Sequence, residues 1–496
     1  MTPAYTRLSP AQAWDPLPRG AWNAQNARHL LRRIGFAATA PETRQAVERG
    51  LEGTLDHYFG QVRPFERPHK IDAQIESTAE RRAQLRGMTR EERQEFLRQS
   101  RRDNNQAFID FAMKWYTFAR EPDHAPQEKW VSFLQNIFVV SVEKVKPAPV
   151  LYDHQNLMRE LGAGPFPDLV KAVSRSAAMV HYLDLDDSTR AQPNENFARE
   201  LFELFTLGEG NYTEQDIKEA ARAFTGYKTR RFQSGYYFSA AAHDKGSKTV
   251  FGQTGHFDGD AIVDLVFKQE AAGRFLPAEM LRFYLTDQPV AAPYLRELGF
   301  WWARQDYNLD ALRRRIFAST LFYTPEFQGS LIKSPTHFYL GLCFDLGLDV
   351  APFPRTVLSS MRSMGQPFYQ PPNVRGWVGG QHWITASTIA ARRQLVAKLF
   401  EPLNEKRLNG DEQFELEVAR ANGRDNLVVD PARLEALQEL EPAAQIDWLV
   451  RYFLPGEVDP AFSQALVNFL EAGERSNQAL EEVLIALLQS PQYQLC

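Results

Sequence analysis

The densest set of groups able to do chemistry lies in one short stretch, Gln192-Pro193-Asn194-Glu195-Asn196-Phe197-Ala198-Arg199-Glu200-Leu201-Phe202-Glu203-Leu204-Phe205. At about 100° per residue of helix, Phe197, Leu201, Leu204 and Phe205 share an apolar face, and Asn196, Glu200 and Glu203 a neighbouring one. Glu195 and Arg199 form an i,i+4 acid–base pair roughly opposite the apolar stripe. On one reading this pair is exposed, contributes about 0.3–0.5 kcal/mol, and the other carboxylates solvate a face. On the other, Asn194, Asn196, Glu200 and Glu203 turn inward as ligands or as partners of Arg199. Glu195, Arg199 and Glu200 are then candidate catalytic groups.

Three further constellations invite the same question. Asp184, Asp186 and Asp187 precede that stretch and offer hard oxygen donors that suit Ca²⁺ or Mg²⁺. They lack EF-hand spacing, and ordinary turn and cap bonding is the simpler reading. In His243-Asp244-Lys245-Gly246-Ser247-Lys248 the adjacent His243 and Asp244 suit a general base or a metal ligand, or else form the polar tip of a turn. Downstream, His256-Phe257-Asp258-Gly259-Asp260 offers two carboxylates to a cation, or simply Asp260 as the cap of the next helix. The loop 371–380 has a Pro-Pro entry and a Gly-Gly exit and carries Asn373, Arg375 and Trp377, with His382 and Trp383 just beyond. Such a loop can stack a sugar or another planar ligand, or plug the core with aromatics. The chain has no Gly-rich phosphate loop, no Gly-x-Ser-x-Gly elbow and no His-Glu-x-x-His motif.

The elements that must position these groups read as helices. Pro193 suits a helix start, and Gly208 and Gly210 its end. Thr213 reads as the cap of the next helix, boxed by Asp216, with Ile217, Ala220, Ala221 and Phe224 as its apolar stripe and Gly226 as its stop. Helical periodicity also runs through Ala27–Ile34, Gln74–Arg120, Gln127–Val142, Asp153–Leu161 and Phe166–Val180, and resumes from Asp260 to Phe400. Arg231–Ser239 and Lys248–Phe251 alternate or carry aromatics between glycines, which predicts a small β-hairpin insert around residues 230–255. The expected fold is mainly α: a large multi-helix body over residues 1–400 with that insert, a charged linker over 401–430, and a C-terminal helical segment over 431–496.

Composition narrows the function classes. The 496 residues suffice for a large helical body, and the net charge of −5, with signs well mixed, gives no electrostatic case for nucleic acid. The basic run Arg81–Arg102 is interleaved with acids and reads as a solvated, salt-bridged helix. Two cysteines, Cys343 and Cys496, exclude a disulfide framework or a Cys-rich metal site. No apolar run reaches about 18 residues, so no membrane insertion is expected. The first twenty residues hold neither an apolar signal core nor twin arginines, which makes a cytoplasmic protein the expectation. Export in company with a signal-bearing partner is the other reading.

These segments, taken in order, resemble a large bacterial family, the domain of unknown function 1800. The marks are His29-Leu30-Leu31-Arg32-Arg33-Ile34-Gly35-Phe36, Pro193-Asn194-Glu195-Asn196-Phe197-Ala198-Arg199-Glu200-Leu201, Phe205-Thr206-Leu207-Gly208, and Gly210-Asn211-Tyr212-Thr213. They continue as His243-Asp244 with Lys248-Thr249-Val250-Phe251-Gly252, then Lys333-Ser334-Pro335, and Pro371-Pro372-Asn373-Val374-Arg375-Gly376-Trp377. The resemblance makes Lys248 and Asn136 candidate binding residues beside Asn194, Asn196, Glu203, Asn373, Arg375 and Trp377. It implies a mostly helical protein without a settled activity. Its genes often neighbour a second family, domain of unknown function 1501, which resembles sulfatases and alkaline phosphatases and often carries an export signal; that family is the implied partner. One departure stands out. The family often shows Trp-His-Asn-His-Phe, where this chain has Leu134-Gln135-Asn136-Ile137-Phe138. Gln135 and Ile137 replace both histidines, so any metal binding or proton transfer they perform elsewhere is lost here.

Two functions from different classes follow. The first is an accessory or binding protein that takes a protein or a glycan on the loop around Trp377, with Asn194–Glu203 as polar scaffolding. The second is a hydrolase or transferase whose site joins Glu195, Arg199 and Glu200 to His243 and Asp244, with or without a divalent cation. An enzyme needs those groups around one point in a cleft. A scaffold pairs them off in separate salt bridges.

Overall fold

A computed structural model describes residues 4–74, 78–229, 235–456, 458–473 and 476–496. It is 63% helical, with two small antiparallel sheets, which bears out the mainly α reading with a β insert. The helices that frame the site are α1 (Ala24–Ile34), α2 (Arg90–Arg120), α3 (Ala125–Ile137), α4 (Ala148–Leu161), α5 (Asn196–Glu200), α6 (Glu214–Ala223), α7 (Ala272–Tyr284), α8 (Pro335–Asp345), α9 (Ala386–Lys398) and α10 (Asn477–Gln489). Among the described residues, no helix is long and apolar enough to cross a membrane.

Local chemistry explains several of these starts. Thr213 and Asp216 form the expected capping box of α6: Asp216 N–H donates to Thr213 Oγ1 (3.1 Å), and Thr213 N–H to Asp216 Oδ2 (2.9 Å). Asp216 Oδ1 also accepts from Phe251 N–H (2.7 Å), and Glu219 accepts from Thr249 N–H (3.1 Å), so one helix face anchors the β insert. The insert pairs β1 (Tyr227–Thr229) with β2 (Tyr236–Phe238), Tyr227 opposite Phe238, and β3 (Lys248–Val250) with β4 (Gln253–Gly255), Lys248 opposite Gly255. Residues 230–234, part of the expected hairpin, lie outside the described residues. One cap differs from expectation. Asp258, not Asp260, caps helix 259–266 by accepting from Ala261 N–H (2.9 Å), and Asp260 pairs with Arg175 instead.

The stretch after Pro193 is not a uniform α-helix. α5 widens into a π-helical turn over Leu201–Thr206. Thr206 Oγ1 donates back to the Leu201 carbonyl, five residues earlier, which supports the wider winding. The extra residue per turn shifts the faces. Phe197, Leu201, Phe202 and Phe205 are buried, whereas Leu204, expected in the same stripe, is half-buried and faces a cavity with Glu203.

The core is one continuous apolar cluster that extends from α1 to α10. It encloses a buried ion pair, Arg159 on α4 with Glu128 on α3 (2.6 Å), whose carboxylate also accepts from Trp115 Nε1 (2.8 Å). The segment read as a linker, 401–430, contains a helix over Gly410–Ala421. The last residues pair with the chain just before α8: Lys333 N–H donates to the Gln494 carbonyl (2.8 Å) and Cys496 N–H to the Leu331 carbonyl (2.9 Å).

Candidate functional site

The groups singled out on α5 and the β insert fall into separate networks. Arg199 binds Glu214 through two bonds (2.8 Å each) and Glu195 through one (3.3 Å). Asp244 accepts from Arg222 Nε (2.7 Å) and Gly246 N–H (2.7 Å), and the arginine holds its carboxyl below the usual carboxylate range. His243 Nδ1 donates to the Thr225 carbonyl (2.9 Å). Lys248, buried, donates to the Asp244 and Gly246 carbonyls (2.7 and 3.0 Å), which ties the turn shut. His243 and Asp244 border a shallow depression with Arg190 that shares no lining residue with the cavity at Glu203. Glu200 lines neither, and burial together with the Glu203 charge raises its pKa. The structure therefore does not bring Glu195, Arg199 and Glu200 to one point with His243 and Asp244.

The acids proposed for a cation are engaged as well. Asp184 pairs with Lys144 (2.7 Å) and accepts from Asn196 Nδ2 (3.3 Å). Asp186 accepts from Thr229 N–H (2.6 Å) and Thr229 Oγ1 (2.7 Å), while Asp187 is exposed. Asn194 Oδ1 receives Asn196 N–H (2.9 Å), an Asx turn at the entry of α5. Among the described residues, no group of three or more His, Cys, Asp or Glu side chains converges as a metal site.

What the fold does build is a cavity of about 550 Å³, walled by α2, α3, α7 and the start of α8, with the loop 371–380 and the π turn on its remaining sides. Its volume lies within the range of small-molecule sites. Aromatic rings dominate the wall: Phe133, Phe275, Phe283, Phe368, Trp377 and Trp383. Two devices fix the loop. Asn136 clamps its backbone, accepting from Trp377 N–H at Oδ1 (2.9 Å) and donating from Nδ2 to the Trp377 carbonyl (3.2 Å). Just before Trp377, Gly376 has φ +73°, and a Cβ there would stand 2.4 Å from Asn136 Oδ1, so only glycine fits. Arg375 then bridges Glu203 and Glu209 (2.6 Å each), with Glu203 also receiving Tyr212 OH (2.9 Å). Asn373 Oδ1 accepts from Arg375 N–H (2.9 Å) inside the loop. Arg375 is thus occupied in holding the loop to the π turn and is not a stacking group, whereas the indole of Trp377 lines the cavity. Its Nε1, buried, has no hydrogen-bond partner among the described residues.

Gln135 donates to the hydroxyl of Tyr369, which in turn donates to the Leu151 carbonyl (3.1 Å). Tyr369 is buried at φ +53°, a conformation that a non-glycine residue adopts only when its surroundings impose it. Ile137, also on α3, lines the cavity.

Several lining residues were not singled out from sequence. Lys129 on α3 is 5% exposed and donates to the Gly35 and Arg32 carbonyls (2.6 and 3.3 Å) at the end of α1 and to His337 Nδ1 (3.2 Å). Burial lowers its pKa to about 7. His337, 4% exposed, is held well below its usual pKa by burial and by the charges of Lys129, Lys333 and Arg33. His154 is likewise buried, its pKa lowered to about 4; its nitrogens pair with Ser176 Oγ and the Phe138 carbonyl (2.9 Å each). Glu279 on α7 lines the opposite wall, its pKa raised by burial against the pull of Arg282. The available signal was a lysine between Glu128 and Trp130 within an apolar helix, which a soluble helix normally turns to solvent.

A family model described as "Protein of unknown function (DUF1800)" matches residues 29–495. Neither a curated protein nor a solved structure matches the chain.

Proposed function

We propose, for a chain that belongs to the DUF1800 family, that it is a ligand-holding accessory protein whose aromatic cavity takes a sugar. One observation supports the reading: Trp377 lines the cavity with a buried indole N–H that meets no acceptor among the described residues. An unpaired buried donor costs about 1–3 kcal/mol, which a ligand hydroxyl would offset. Ring faces that stack on a sugar, interspersed with amide and carboxylate groups such as Gln366 and Glu279, suit that ligand class. The separate pairing of Glu195, Arg199, Asp244 and their neighbours speaks against a hydrolase centred on them. A binding protein of this kind could present a sugar to a hydrolase partner, such as the sulfatase-like family whose genes neighbour those of its relatives, in the cytoplasm or after joint export.

The test is tryptophan fluorescence and calorimetry with neutral mono- and disaccharides. Saturable binding that weakens about tenfold or more in Trp377→Phe, which removes the N–H but keeps an aromatic ring, is the expected result. Binding unaffected by Trp377→Phe, or no binding of any sugar, would sink this reading.

A further inference from the structure

We propose that the ligand of this cavity carries an acetamido group, read by two glutamines: Gln366 Nε2–H donates to its carbonyl, and Gln135 Oε1 accepts from its N–H. For the rest of the ligand the inference rests on the sugar reading, and it makes that sugar an N-acetylated amino sugar.

A glutamine side chain offers N–H donors on one side and a carbonyl acceptor on the other, and its partners decide which way it faces. Thr336 N–H, a backbone donor, meets Gln366 Oε1 (2.9 Å), so the oxygen is turned to the start of α8 and the amide nitrogen is the free end. At Gln135 the order is reversed. The single hydrogen of the Tyr369 hydroxyl goes to the Leu151 carbonyl (3.1 Å), so that hydroxyl must accept from Gln135 Nε2, which leaves Oε1 as the free end. Both residues are half-buried and line the cavity. Among the described residues, Gln135 Oε1 and Gln366 Nε2 meet no protein partner, and neither is sealed from solvent, so a ligand can reach both.

The fold also brings the two together. Gln366 opens the segment Gln366-Pro367-Phe368-Tyr369, and the last residue of that segment is the one that holds Gln135. Three residues of chain span at most about 11 Å. Phe368, between them in sequence, packs on Trp115 and Tyr116 (ring centroids 5.4 and 6.0 Å apart), and Trp115, Phe368 and Ile137 all line the cavity. One donor and one acceptor, neither free to exchange roles, thus stand among apolar groups. A sugar hydroxyl both donates and accepts, so a pair of hydroxyls here would leave half of its capacity unmet. A secondary amide has one N–H and one carbonyl, and its methyl end suits the apolar wall. The glutamines also keep their own geometry through Thr336 and Tyr369, so binding need not order them.

Calorimetry with three probes on the full chain tests this: N-acetylglucosamine, glucose, and acetanilide, which has the secondary amide without the sugar. N-acetylglucosamine should bind about 10- to 100-fold tighter than glucose. Gln366→Glu keeps an oxygen for Thr336 N–H and removes the donor; in it the preference should vanish and acetanilide binding should weaken, while glucose binding is unchanged. Gln135→Met, which leaves the Thr336 contact alone, should lose the same preference. A preference that survives either substitution would overturn the assignment. Glucose binding as tightly as N-acetylglucosamine to the unaltered protein would overturn the acetamido site and leave the sugar reading intact. Acetanilide binding that depends on Gln366, with no sugar bound, would support the amide site and overturn the sugar. Failure of both N-acetylglucosamine and acetanilide to bind overturns the proposal without reference to any variant.

Discussion

Arg159 and Glu195 are both partners in ion pairs, and only burial separates their consequences. The Arg159–Glu128 pair is inaccessible to water, and among the described residues Glu128 has only Trp115 Nε1 and Gln127 as further donors. Arg159→Ala should therefore lower stability by about 3–5 kcal/mol, because it strands a buried carboxylate. Glu195→Ala, at a half-exposed pair, should change it by less than about 1 kcal/mol. Urea denaturation of the two variants compares them directly, and equal losses would contradict the burial argument. Histidines add a pH dependence. His154 is held at about pKa 4 by burial, and His29 and His337 lie well below 6.5 for the same first cause. The native state thus binds fewer protons than the unfolded chain between pH 6.5 and 4, so stability is lost as pH falls through that window. His154→Gln should flatten the slope by at most about 1.4 kcal/mol per pH unit. An unchanged slope would mean that His154 is not buried neutral.

At the scale of elements, the loop 371–380 owes its shape to contacts with α3 and the π turn, not to its own prolines alone. Arg375→Ala removes both bonds to Glu203 and Glu209, which are surface pairs, so global stability should change by less than about 1 kcal/mol. Amide exchange in residues 373–380 should nevertheless quicken, and sugar binding at Trp377 should weaken with it. Unchanged exchange would mean that the Asn136 clamp alone holds the loop. The π turn belongs to the same argument. By rotating Glu203 and Leu204 toward the cavity it supplies the acid that Arg375 grips.

For the whole molecule, the question is whether residues 431–496 fold apart from the body. Tyr493 is fully buried, its hydroxyl donates to Asp345 on α8 (2.8 Å), and its ring carries the Lys333 ammonium. α10 packs on α9, and the chain beyond it pairs with residues 331–333 beneath the cavity. We expect one cooperative unfolding transition, lowered by about 3–5 kcal/mol in Tyr493→Ala. Two resolved transitions in the unaltered protein would assign the C-terminal segment a domain of its own.

Much of this was legible in the residues. Helical periodicity, the Thr213–Asp216 box, the glycine-punctuated insert and the interest of the loop at Trp377 depend on contacts within a few residues, and local spacing encodes those. The widening of α5 was not legible, because a π turn keeps the same residue types and changes only which carbonyl each group meets. Nor was the pairing of Arg375 with Glu203, 172 residues away, or of Lys129 with His337, 208 away. Sequence alone fixed which side chains carry charge and that the chain is mainly helical. Tertiary structure decided which of those charges lie in water, where they are screened and nearly neutral to stability, and which lie buried, where the low dielectric makes the loss of a partner costly.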